Sequence, residues 1–157
     1  MGDHYVDFAE ENEDLGKKIK RLFKLLLILF YLGIWSVAIV VFWLFTSGSD
    51  GMGYSILFLY LLMPVTTLVA SFLIGFGHFW GHFKWLTAPF FGFMYMMAEY
   101  LTFSMSNTLA FHKLNAPRFS FLIAGTIISL IAMGFGHLGW FLKKKLAKSD
   151  QDDESEK

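Results

Sequence analysis

Leu22 to Phe45 reads LFKLLLILFYLGIWSVAIVVFWLF, a run whose one charge, Lys24, sits at its third position. About 20 mainly apolar residues suffice to carry a helix across the hydrocarbon of a bilayer. Three more runs of that kind follow: Tyr54 to roughly Trp80, Trp85 to Ser106 and Phe119 to Leu142. Backbone donors and acceptors cannot go unpaired in lipid, and none of the runs alternates as barrel strands do, so helices are the expected form. The predicted fold is an all-α membrane protein with four transmembrane helices in an up-and-down bundle. A content of 55% hydrophobic and 19% aromatic residues leaves too little polar material to coat a water-soluble globule. The chain divides into an N-terminal segment 1–21, a transmembrane domain 22–142 and a basic, then acidic, tail 143–157.

Net charge is zero but unevenly spread. Lys17, Lys18, Lys20, Arg21 and Lys24 flank the first run, Lys84 lies in the second gap, and Lys143, Lys144, Lys145 and Lys148 follow the last. Only Lys113 and Arg118 fall on the other side. The positive-inside bias therefore predicts both termini in the cytoplasm and the Thr46–Gly53 and Asn107–Arg118 loops outside. Acidic residues from Asp3 to Asp14 precede the basic cluster, so the first helix is expected to act as an uncleaved anchor, in the cell (plasma or inner) membrane. Ser149 to Lys157, acidic and nearly free of apolar residues, is expected to be disordered. Trp43, Tyr54, Trp80, Trp85 and Trp140 lie near run ends, where amphipathic rings favour the headgroup layer.

Helical spacing predicts which faces turn inward. On helix two, Pro64, Thr67, Ser71, Gly75, His78 and His82 form one small-and-polar stripe. Helix four offers Gly125, Ser129, Ala132, Gly136 and Gly139; helix three Gly92, Met96, Glu99 and Ser106, with Thr102 alongside; helix one Gly33, Ser36 and Val40. Small residues of this kind let membrane helices approach closely. Pro89 and Pro117 suit helix starts, whereas Pro64 is expected to kink helix two and free the carbonyl of Tyr60. Gly75–Phe76–Gly77–His78 recurs 59 residues on as Gly134–Phe135–Gly136–His137, which suggests two hairpins in tandem with helices two and four parallel.

Two features can carry chemistry. Glu99 is the one acidic residue within the four runs, and a carboxylate in lipid must find a cation or a donor, or hold its proton. Ten residues after Pro89, it is expected near mid-membrane, with Thr67, Thr102, Ser36 or a backbone carbonyl as partner and Ser71 on the same polar lining. His78 and His82 lie one turn apart on helix two, and His137 is on helix four. Such residues suit a metal ion, but Glu99 lies too deep to complete the set. If helices two and four are the diagonal pair of the bundle, His78 and His137 are spaced for a b-type haem.

The absence of cysteine excludes disulfides and thiol chemistry, and no phosphate loop, nucleophile elbow or basic nucleic-acid face is present. The expected protein is a small non-enzymatic accessory subunit or half-sized transporter with no cofactor, associated with the bilayer and with further copies of itself or a larger membrane complex. A b-type haem redox protein and a proton-coupled carrier using Glu99 are the alternatives.

Overall fold

The computed structural model describes residues 3–46, 51–77, 80–112 and 114–155, and among them the chain forms four helices and no strand. Helix one runs Asp3–Phe45. Helix two runs Gly51–Phe76, with Ser55–Leu62 wound as a π-helix. A 3₁₀ turn, Gly81–Leu86, leads into helix three, residues 87–111, whose segment Tyr100–Ser104 is again π-helical. Helix four runs Phe119–Ser155. The entry to the 3₁₀ turn is tight: Trp80 at φ 62° and Gly81 at φ 54° both take left-handed backbone angles. That conformation is rare for a bulky residue.

Three segments, Asp14–Phe45, Gly51–Phe76 and Phe119–Ala147, are long and apolar enough to cross a membrane, and they make this an integral membrane protein. Helix three, expected as a fourth span, is not among them. Its sequence carries Glu99, Tyr95 and Tyr100, and eight residues of Thr87–Glu99 are buried against the other helices. A helix enclosed by protein need not be as apolar as one facing lipid.

Glycine decides which helices lie side by side. A Cβ at Gly75 would collide with Met133 O and one at Gly136 with Phe72 O, so helices two and four meet backbone to backbone. A Cβ at Gly92 would collide with Thr126 Oγ1 and Leu122 O, while at Gly125 it would come within 2.9 Å of the Gly92 Cα, so helix four is equally close to helix three. Ser71 and Ser129 share a hydrogen bond of 2.7 Å across the first of these seams. Helix one faces helices two and three with larger side chains. Tyr31 packs edge-on to Phe91 at 4.6 Å, and Phe42 meets Tyr54 and Phe103, each at 5.0 Å. The Trp35 indole N–H donates to Met94 O (2.9 Å) and the Tyr54 hydroxyl to Ala38 O (2.9 Å).

Helices two and four are thus parallel neighbours rather than the expected diagonal pair, and helix one packs on helices two and three. The small-residue stripes of helices two, three and four turn inward. That of helix one does not: Gly33, Ser36 and Val40 are exposed, and Leu27, Tyr31, Ala38 and Phe42 form the buried face. Tyr54 is likewise a core residue, not part of an interfacial belt. The repeated tetrapeptide has no structural counterpart, since Gly75 is packed on helix four while its match, Gly134, faces open space.

Chain ends and loops also differ from expectation. Helix four continues through the acidic tail to Ser155, because a helix already nucleated in the span propagates cheaply through Lys143–Ala147 with neither Gly nor Pro to stop it. The first turns of the Asn107–Arg118 loop are helical to Phe111. Of the expected Thr46–Gly53 loop, residues 47–50 lie outside the described residues, and helix two already begins at Gly51.

The glycine seams give a sharp stability test. Gly75→Ala and Gly136→Ala should each destabilise the fold by about 1–3 kcal/mol through overpacking. Gly134→Ala should be neutral or slightly stabilising, because alanine favours a helix and meets nothing there. Unfolding in graded SDS separates these outcomes, and equal effects at all three positions would contradict the packing.

Candidate functional site

Both π-helical segments create polar contacts that a plain α-helix would not. At the end of the first, the Met63 N–H bonds to Phe58 O, five residues back. The next donor in that ladder would serve Leu59 O, but residue 64 is proline and has no N–H. The Tyr95 hydroxyl of helix three donates to Leu59 O instead, at 2.6 Å. Pro64 therefore opens the carbonyl of Leu59 rather than that of Tyr60, because the ladder is wound i→i−5 at that point.

In helix three the Met105 N–H bonds to Thr102 O and Tyr100 O, and Leu101 O between them receives the Trp43 indole N–H at 3.0 Å. The same winding stacks residue i over i+5. The Ser104 hydroxyl lies 3.2 Å from both carboxylate oxygens of Glu99, to which it donates. Thr102 turns its hydroxyl to Ala98 O (2.7 Å) and Glu99 O (3.2 Å).

Glu99 is 2% exposed, and its cation is Arg118, whose Nε stands 3.6 Å from Oε1. Arg118 itself is mostly solvent-accessible, with 65% of its side chain exposed. It reaches Glu99 because helix three outruns helix four. From Glu99 helix three continues to Phe111, about 18 Å at 1.5 Å per residue. The chain then folds back along that last stretch, with the Asn115 N–H donating to the Thr108 hydroxyl (3.3 Å), before helix four starts at Phe119. Glu99 accordingly lies level with the first turn of helix four, where Tyr95 packs on Phe121 at 5.1 Å. Its observed partners, Ser104 and Arg118, are not the expected Thr67, Ser36 or Thr102 side chain. Two signals point to them: a lone carboxylate in a span needs a cation, and Arg118 is one of only two basic residues at that end.

The other expected polar residues form separate pairs. Thr67 contacts the Tyr31 hydroxyl at 3.4 Å, and Ser71 pairs with Ser129. All are buried, and among the described residues no buried side-chain nitrogen or oxygen lacks a partner.

At the opposite, basic end, Lys84 is 3% exposed and its Nζ lies 3.0 Å from His137 Nδ1. An ammonium only donates, so the imidazole accepts at Nδ1. Burial pushes the Lys84 ammonium below its ordinary range. His137 also stacks on Trp140, with centroids 5.6 Å apart and planes at 11°. His78 lies outside the described residues, as does the side chain of His82. Helices two and four touch through Gly75 and Gly136 instead of standing across a diagonal. No group of three or more His, Asp or Glu residues suited to a metal ion occurs among the described residues.

Comparison with known protein families, with characterised proteins and with solved structures finds no match for this chain.

The geometry ranks the contacts of Glu99. Ser104→Ala should destabilise the fold by about 1–3 kcal/mol, because it removes the hydroxyl from a buried acceptor. Arg118→Gln should cost less, about 0–1 kcal/mol, since the guanidinium is largely in solvent. SDS or thermal unfolding of the two variants decides the order, and a larger loss at Arg118 would show that the ion pair rather than the hydroxyl holds the carboxylate.

Proposed function

We propose that this chain is a four-span protein of the cell membrane, with both termini cytoplasmic, that acts as a non-enzymatic accessory subunit of a membrane assembly. The observation that carries the reading is the state of its one intramembrane carboxylate. Glu99 is held by Ser104 and Arg118, and among the described residues every buried polar side chain is paired. Glycine-to-backbone contacts close the space between helices that a solute path needs. A bundle so filled holds a shape and offers its outer faces to other helices.

Helix three serves as the fourth span in this reading. Its residues 87–111 are long enough to cross the hydrocarbon, and its polar Glu99, Thr102 and Ser104 are buried in the bundle rather than turned to lipid. Nine of the eleven Lys and Arg residues that flank the spans, Lys17 to Lys145, then lie on the cytoplasmic side, as the positive-inside bias requires.

The proton-coupled carrier is the second reading, favoured by one observation: a buried carboxylate touches a solvent-exposed guanidinium. A transport assay separates the two. Purified chain in vesicles loaded with a pH-sensitive dye should pass no more protons than protein-free vesicles, with or without Glu99→Gln. A flux that Glu99→Gln abolishes establishes the carrier instead. In cells, deleting the chain should lower the membrane level of one or a few partner proteins, and an unchanged membrane proteome would count against the accessory role. Fusing either terminus to an enzyme active only outside the cytoplasm should give no activity, and a signal from either end overturns the orientation.

A further inference from the structure

Helix one carries a second stripe, opposite the one it buries. Leu15, Ile19, Leu22, Leu26, Leu29, Gly33, Ser36 and Val40 follow one another at alternating steps of four and three, and all are exposed. In heptad terms they are consecutive a and d positions, whereas the residues packed into the chain's own bundle, Leu27, Tyr31, Trp35, Ala38 and Phe42, occupy b, c and f. The same register runs back in the sequence through Asn12, Phe8 and Tyr5.

Lipid does not account for this stripe. Within the span other outward residues, Leu25, Phe30 and Val37, are exposed beside it, so what sets the stripe apart is its course outside the membrane. Lipid ends too soon. Ile19 and Leu15 lie about 39 and 45 Å from Phe45 along the helix, beyond the roughly 30 Å of hydrocarbon, yet they are 59% and 55% exposed.

We infer that helix one pairs with helix one of a second copy as a parallel coiled coil that begins outside the membrane and continues into it. Membrane insertion gives both copies the same orientation, so a twofold axis along the bilayer normal sets each seam residue against itself. Leucines then meet leucines, Gly33 permits the close approach, and two Ser36 hydroxyls face each other within the membrane.

Charge favours this partner. Of the basic residues between Asp14 and Lys24, Lys17, Lys20, Arg21 and Lys24 take b, c and f positions on the back of the helix. Lys18 alone flanks the seam, and Asp14 binds it at 2.9 Å. Two copies can therefore approach without opposing their basic clusters. Asn12 falls at an a position, the place where a single asparagine fixes register in dimeric coiled coils. Burying the seam on both copies removes on the order of 1,200 Å² from solvent and lipid. That clears the roughly 1,000 Å² expected of a specific interface. The inference deepens the assembly role proposed above, but its test is independent of any transport or partner-loss result.

The chain has no cysteine, so single cysteines report contacts without background. In isolated membranes treated with an oxidant, Leu15→Cys, Leu22→Cys and Ser36→Cys should each give a disulfide-linked species of twice the chain mass. Lys20→Cys and Ile28→Cys, exposed but off the seam, should give at least about fivefold less. Equal cross-linking at all five positions, no seam cross-link, or seam cross-links to a different protein overturns the dimer. Leu15→Lys with Ile19→Lys, both at exposed positions, should leave membrane accumulation intact and reduce the Ser36→Cys dimer by at least about tenfold. An unchanged Ser36→Cys dimer would refute the coiled coil outside the membrane.

Discussion

Helix four touches helices two and three through their backbones, and the remaining architecture adjusts to that contact. Within lipid, helices gain little from burying leucine against leucine, so association depends on close packing and on hydrogen bonds between helices. Gly75, Gly92, Gly125 and Gly136 supply the close packing, and Ser71 with Ser129 supplies a hydrogen bond inside the same seam. With those three helices locked, helix one closes the remaining side. With Ala38 the one small residue on its inner face, it does so at longer range with Tyr31, Trp35 and Phe42. The ring donors of helices one to three reach backbone carbonyls of neighbouring helices, which polar atoms in an apolar core must do to avoid the penalty of being left unpaired.

The carboxylate of Glu99 depends on this frame. Its hydroxyl donor comes from its own helix and its cation from the residue just before helix four, so the site exists only when helices three and four are seated at the correct relative height. The Gly92–Gly125 contact sets that height. Packing between the helices and the polar chemistry at one end of the bundle are therefore one structural unit.

Much of the architecture was legible in the residue pattern: the helices themselves, their loop-side ends within a few residues, and the inward faces of helices two, three and four, though not the extension of helix one back to Asp3 or of helix four on to Ser155. Stripes of small residues mark a face that a neighbour must approach, which is why Ser71, Gly75 and Gly136 could be placed. The same rule misread helix one, because its small residues, Gly33 and Ser36, belong to an outward stripe and its inner face is aromatic. Which helices neighbour one another was not legible, since spacing along a chain identifies a face but not the partner it meets. The partners of Glu99 escaped for a different reason. Ser104 lies five residues on, a separation that faces away on an α-helix and comes into line only when the helix widens, and widening leaves no clear signature in the residues 100–104.

That widened turn also has a bearing on how the chain tolerates changes in length. Five residues per hydrogen-bonded step in place of four amounts to one surplus residue within helix three, stored between Glu99 and Met105. Excising one residue there would restore a regular helix of almost the same rise. Because the widened turn already absorbs that residue, the segment from Met105 to Phe111 would keep nearly its present facing toward the bundle. Excision from the regular turns beyond it would instead rotate the tip by about 100° and carry Thr108 away from the segment that returns through Asn115. The widened turn thus gives helix three one place where a residue can be lost without re-aiming its tip.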